Sequence, residues 1–211
     1  MNKYKISSAF VTALVLLIGL GCSPALIPMG KADRAQLNNQ AEIGAVHREP
    51  AAFYADAGLY GMVGHGMSIS AGKEIRKKYG LEDPATAVKT NFLQALEKEY
   101  IGIKVRAVDR PVAGDDLAAA KNAYGGAWLF DFKTLGWGSA IEGGVEFTIR
   151  ARLIRNGDSK ILWQGTCKYE TTSGRSKLLT GNSPALLKAK FQAGIAPCTE
   201  SLWAQFQADR P

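Results

Sequence analysis

The chain has 211 residues, of which 46% are hydrophobic and 21% charged, with a formal net charge of +7. These values suit one globular domain with appendages and exclude a disordered, collagen-like or multi-span membrane chain. The positive excess is diffuse. Its densest cluster, Arg76-Lys77-Lys78, is too short to argue for nucleic acid, so no nucleic-acid partner is expected.

Residues 1–8 are polar and carry Lys3 and Lys5, and Ala9–Gly21 is apolar apart from Thr12. A basic segment followed by an apolar run of this length reads as a secretory signal. The run is short of the roughly 20 apolar residues that a membrane span needs. It ends at Gly19-Leu20-Gly21-Cys22, followed by Ser23-Pro24. This ending resembles the lipobox of bacterial lipoproteins, although Gly19 stands where that family has a branched residue. The resemblance implies cleavage before Cys22, diacylation of its thiol, and a lipid anchor as the chain's contact with the membrane. Ser23 in place of Asp resembles the sorting signal for the outer membrane, periplasmic side. An ordinary secretory signal cleaved nearby, or an uncleaved anchor, is the alternative. The expected division is a signal peptide over 1–21, a lipidated tether over 22–50, and a single α/β domain over 51–211.

The tether reading rests on Pro24, Pro28, Gly30, Asn38-Asn39 and Pro50 and on weak periodicity, with room for an early strand. The next stretch, 57–72, interleaves Gly58, Gly61, Gly64, Gly66 and Gly72 with apolar residues. Such a segment suits close packing against a backbone or a membrane. Gly61, Met62 and Gly64 are therefore candidate contacts for a partner or the bilayer, beside the plainer reading of a loop or a strand and turn. A short basic helix is expected over 71–79.

Asp83 and Pro84 form a cap and a first helical residue, and Val88, Phe92 and Leu96 give an amphipathic helix over 84–100. Alternation predicts a strand at 103–107. Gly114-Asp115 opens a second helix that ends near Tyr124. Three strands follow, marked by Trp128/Phe130/Phe132, by Val145 to Leu153, and by Ile161 to Tyr169. Asn156-Gly157 signals a tight hairpin. The apolar face of this meander needs a cover, which Leu187, Phe191, Ile195, Cys198, Leu202 and Phe206 supply on a last helix that Pro197 is expected to kink or divide in two. The opposite face reads as wet and basic. The expected fold is α+β, a two-layer α/β sandwich with a mainly antiparallel sheet and helices on one face.

Cys167 lies on the apolar sheet face and Cys198 on the helix stripe meant to cover it. A Cys167–Cys198 disulfide is thus expected in an oxidising compartment, with two buried thiols as the alternative.

No credible catalytic centre emerges. Gly66 to Glu74 approaches a P-loop but has the wrong glycine spacing, and it places Glu74 where a hydroxyl must reach Mg²⁺. Gly64-His65-Gly66 lacks the third glycine of a dinucleotide turn. Ser70 and Lys73 match S-x-x-K without the companion motifs. His47 and His65 are the only histidines, so no metal site or cofactor is expected. Asp115-Asp116 is explained by helix capping. Trp128 and Trp163 read as core, and Trp137, between Gly136 and Gly138, as either structural or an exposed contact.

The run from Ala151 to Cys167 resembles a hairpin of poorly characterised Gram-negative envelope lipoproteins, and the Asp83-Pro84 helix after a glycine-rich stretch is similar to the same group. The resemblance covers Gly58 to Trp203 and is structural. It implies a non-catalytic binding or scaffold module that meets another envelope protein. The alternatives are a carrier or sensor of lipid or a small hydrophobe, and a periplasmic enzyme of unknown type.

Overall fold

The computed structural model describes residues 25–55, 65–139, 144–171 and 184–208. In chain order the elements are α1 (Lys31–Leu37), β1 (Glu42–His47), β2 (Phe53–Ala55), α2 (His65–Tyr79) and α3 (Pro84–Glu99). Next come β3 (Lys104–Ala107), α4 (Leu117–Ala123), β4 (Trp128–Ser139), β5 (Val145–Arg155), β6 (Lys160–Glu170), α5 (Pro184–Ala193) and α6 (Ile195–Gln207).

The six-stranded sheet has the order β3-β1-β4-β5-β6, with β2 pairing further along β4. β4, β5 and β6 form the expected antiparallel meander. β1 is parallel to both β3 and β4, and β2 is parallel to β4. The sheet is therefore mixed. The stretch expected as a tether up to Pro50 belongs to the fold from Ile27 onward. Ile27 exchanges backbone hydrogen bonds with Gln164 at 3.0 and 2.9 Å, and the Gln164 side chain donates to the Ala25 carbonyl at 2.6 Å. β1 is buried on both faces after Glu42, so its residues Ile43-Gly44-Ala45-Val46 carry no polar alternation to announce a strand.

Helix α3 follows its sequence signals. The Asp83 carboxylate accepts from the Ala85 amide at 3.0 Å, and Pro84 occupies the first turn. Ala85, Val88, Phe92 and Leu96 are fully buried. The last helical run divides into α5 and α6 at Gly194, three residues before Pro197. The proline thus sits in the first turn of α6, where its missing amide leaves no intrahelical partner lacking. α6 packs on β6 and α3. Phe92 is its meeting point with the sheet, ringed by Phe130, Phe132, Trp163, Trp203 and Phe206 at centroid distances of 5.2–5.9 Å.

Cys167 and Cys198 are joined as a disulfide, with Cα atoms 5.5 Å apart and a sequence separation of 31. The bond ties α6 to the strand it covers. Replacing both cysteines by Ala is expected to lower unfolding free energy by about 2–4 kcal/mol, chiefly by loosening the constraint on the unfolded chain. Urea titration of the oxidised protein and the double variant reads this directly. A difference below about 1 kcal/mol would mean that packing alone holds α6.

Three expectations are corrected. The hairpin between β5 and β6 is not a two-residue Asn-Gly turn. Arg155 pairs with Lys160 across a four-residue loop, and its left-handed residue is Ser159. Asn156 instead turns inward, donating to the carbonyls of Tyr124 and Gly126 at 3.2 and 2.6 Å. Second, the helix following the glycine-rich stretch begins at His65, not near Ala71. Gly72 lets α2 lie directly on the backbone of β2, because a Cβ there would collide with the Phe53 carbonyl. Third, the face opposite the main core is not simply wet. Helix α4 lies on it, and Val46, Val112, Ala120, Tyr124 and Leu129 form a second, smaller apolar cluster there. Gly44 permits this, since any Cβ at that position would strike the Tyr124 ring.

Candidate functional site

Cys22, Gly61, Met62 and Gly64 lie outside the described residues. Trp137 does not serve as an exposed contact: it is fully buried. The reason is an irregularity in β4 between Thr134 and Gly136. One extra residue reverses the side-chain parity, so Trp137 joins Phe147 on the core face although counting from Phe132 puts it outside. Its indole N–H donates to the Ala51 carbonyl at 2.8 Å, its ring meets Phe53 edge-on at 5.0 Å, and Arg76 lies 5.1 Å from its centroid. The near-motif from Gly66 to Glu74 is helix throughout, so it offers no loop amides to a phosphate. Ser70 and Lys73 are exposed on that helix.

Two polar clusters were not legible in the sequence. The first lies beside α4 on the second sheet face. Arg48 and Asp131 are completely buried and joined twice, Nε to Oδ1 at 2.7 Å and Nη2 to Oδ2 at 3.2 Å. The remaining Arg48 nitrogen donates to the Asp116 carbonyl at 2.9 Å. Arg152 bridges Asp131 at 2.6 Å to Asp115 at 3.0 Å, and Arg150 grips both oxygens of Asp115. Asp115 therefore belongs to an ion network, not to a cap. Asp116 alone caps α4, accepting from the Ala118 amide at 3.0 Å. The network fastens the loop before α4 onto β4 and β5, and that is a structural task.

Asp115 carries a measurable signature. Its hydrogen bonds to Arg150, aided by the charges of Arg150, Arg152 and Lys133, hold its pKa at about 2 against an ordinary 3.8, although partial burial opposes them. A depressed carboxylate stabilises the fold above its unfolded pKa, and this contribution is lost as pH falls through the folded value. The urea midpoint is thus expected to fall between pH 4 and 2, and Asp115→Asn to flatten that part of the profile. An unchanged slope in the variant would remove Asp115 from the account.

The second cluster occupies an open groove of about 300 Å³ between α3 and the edge strand β3. His47, the last residue of β1, and Lys89, on the second turn of α3, meet there. Lys89 is buried, and its Nζ lies 3.1 Å from His47 Nδ1 and 3.3 Å from the Val108 carbonyl, to which it donates. Burial lowers the pKa of both groups. The neighbouring Lys89 charge lowers that of His47 further, while Asp109 works in the opposite direction on each. Thr86, Thr90, Gln94 and Glu97 line the helix side of the groove. His47 and Lys89 are 42 positions apart and share no motif, so only the fold unites them.

Among the described residues no cluster of His, Cys, Asp or Glu side chains suits a metal ion, and no helix is long and apolar enough to cross a membrane. No protein-family model matches the chain, and no curated protein matches its sequence. Solved structures give distant likenesses. Protein XCC0632 from Xanthomonas campestris is 12% identical, with 88% of this chain and 90% of that chain covered and a TM-score of 0.40. The PelC dodecamer from Paraburkholderia phytofirmans is 10% identical over 80% of this chain and 86% of that chain, with a TM-score of 0.37. Lipoprotein GNA1162 from Neisseria meningitidis is 16% identical over 77% of this chain and 99% of that chain, with a TM-score of 0.26. At these values the likenesses decide neither partner nor chemistry.

Proposed function

We propose that this chain is an envelope lipoprotein, acylated at Cys22 after removal of 1–21 and held on the periplasmic face of the outer membrane, whose domain is a non-catalytic binding module for another envelope protein. The observation that carries the reading is where the fold begins. Ala25 and Ile27 are already fastened to Gln164, so the chain between Cys22 and the domain can span no more than about 11 Å. A lipid at Cys22 would press the domain against the bilayer instead of letting it range, which suits contact with a partner resident in the same membrane. The disulfide accords with an oxidising compartment. The carrier reading loses ground because the helix–sheet interface is filled by the aromatic cluster around Phe92.

Metabolic labelling with a palmitate analogue tests the anchor, with incorporation expected in the native chain and none in Cys22→Ala. Extraction of a C-terminally tagged chain in mild detergent tests the module. A stoichiometric envelope protein co-purifying with it is expected, whereas a clean monomer carrying lipid would restore the carrier reading.

A further inference from the structure

Lys89 poses a physical question that packing does not answer. A buried ammonium is normally paired with a carboxylate or else gives up its proton, because desolvation of the charge costs several kcal/mol. Among the described residues Lys89 has two neutral contacts, His47 Nδ1 and the Val108 carbonyl, and no carboxylate within ion-pair distance. An ammonium has three donors, so one is left over. The groove that Lys89 lines is open and holds about 300 Å³, the small end of the range for ligand sites.

The other charges in the groove select among anions. Asp109 and Glu97 line the same space. They disfavour a multiply charged anion such as phosphate, yet leave an acceptor for a positive group. Lys89 and Glu97 lie on one helix, eight residues apart, so they are separated along its axis by about 12 Å. An extended peptide advances about 3.3 Å per residue. A chain of about three residues therefore spans the two ends. We propose that this groove binds a short peptide end to end, its terminal carboxylate on the free donor of Lys89 and its terminal ammonium toward Glu97. β3 flanks the groove as an edge of the sheet, with β1 as its one partner strand among the described residues. The Val105 amide on that edge is held by Glu97 through a single contact of 3.3 Å. The proposal is independent of lipidation at Cys22, and a failure of either leaves the other standing.

The test uses the full-length protein in a neutral detergent with its two histidines isotopically labelled, so that His47 reports on the groove and His65 serves as the internal control. Trialanine is the probe. Its addition is expected to move the His47 signal saturably and leave His65 in place. Trialanine amide, which lacks the carboxylate, is expected to bind about ten-fold or more weakly, the loss of one charge-assisted hydrogen bond. Lys89→Met should abolish the response. Glu97→Gln, at an exposed position on the groove rim, should weaken it several-fold by removing the acceptor for the terminal ammonium. The proposal is overturned if trialanine leaves His47 unmoved, if the amide binds as well as the acid, if phosphate binds more tightly, or if Glu97→Gln binds unchanged.

Discussion

Replacing Asp131 by Ala is expected to be among the most damaging single changes, costing about 3–5 kcal/mol of a domain stability that is itself only about 5–15 kcal/mol. The variant leaves the Arg48 guanidinium, fully buried, without its two charged contacts, and takes the inner partner from Arg152. Most of the loss comes from those stranded charges and not from the ion pair's intrinsic worth. Arg48→Met combined with Asp131→Leu should therefore cost less than Asp131→Ala alone. Denaturant unfolding of the three proteins, followed by tryptophan fluorescence, separates the two contributions. A double variant that is less stable than the single one would mean that the pair itself stabilises the fold.

Phe92→Ala is the second large effect, expected at about 3–5 kcal/mol. The ring is completely buried and touches the sheet through Phe130, Phe132 and Trp163 and α6 through Trp203 and Phe206. Its removal opens a cavity where three elements meet, and rigid aromatic neighbours on every side leave little scope for collapse. Ile101→Ala is the matched control: Ile101 is 96% exposed and should change stability by less than about 0.5 kcal/mol. Thermal and denaturant melts of both variants check the contrast.

The parts of the fold legible in the sequence are those where a single face is buried. β5 and β6 alternate cleanly, α3 bears its cap and stripe, and Cys167 and Cys198 face one another across the same interface. β1 was hidden because both its faces are covered, which removes the polar alternation. Trp137 stayed open between a structural role and an exposed contact because the alternation of β4 carries no knowledge of an irregularity between Thr134 and Gly136, which turns it into the core. Asp131, Arg150 and Arg152 carry the outward polar pattern of a wetted strand, yet they are buried because they neutralise one another under α4. The polar alternation was real, and the solvent it implied was replaced by a network. The His47–Lys89 contact depends on where β1 ends relative to α3, a relation that no local spacing encodes.

The interior place of β1, between β3 and β4, also governs the order in which the molecule can assemble. β1 comes near the start of the chain, yet its neighbours on either side, β3 and β4, are supplied by residues 104–107 and 128–139. A chain emerging amino terminus first thus exposes an apolar strand whose first partner, β3, begins at Lys104, well downstream of its last residue, His47. Long-range parallel pairing of this kind is slow, because loop closure must precede any gain from contact. Fragments ending before β4 should remain unfolded and prone to stick, and folding should be governed by the arrival of β4 more than by any event in the first hundred residues.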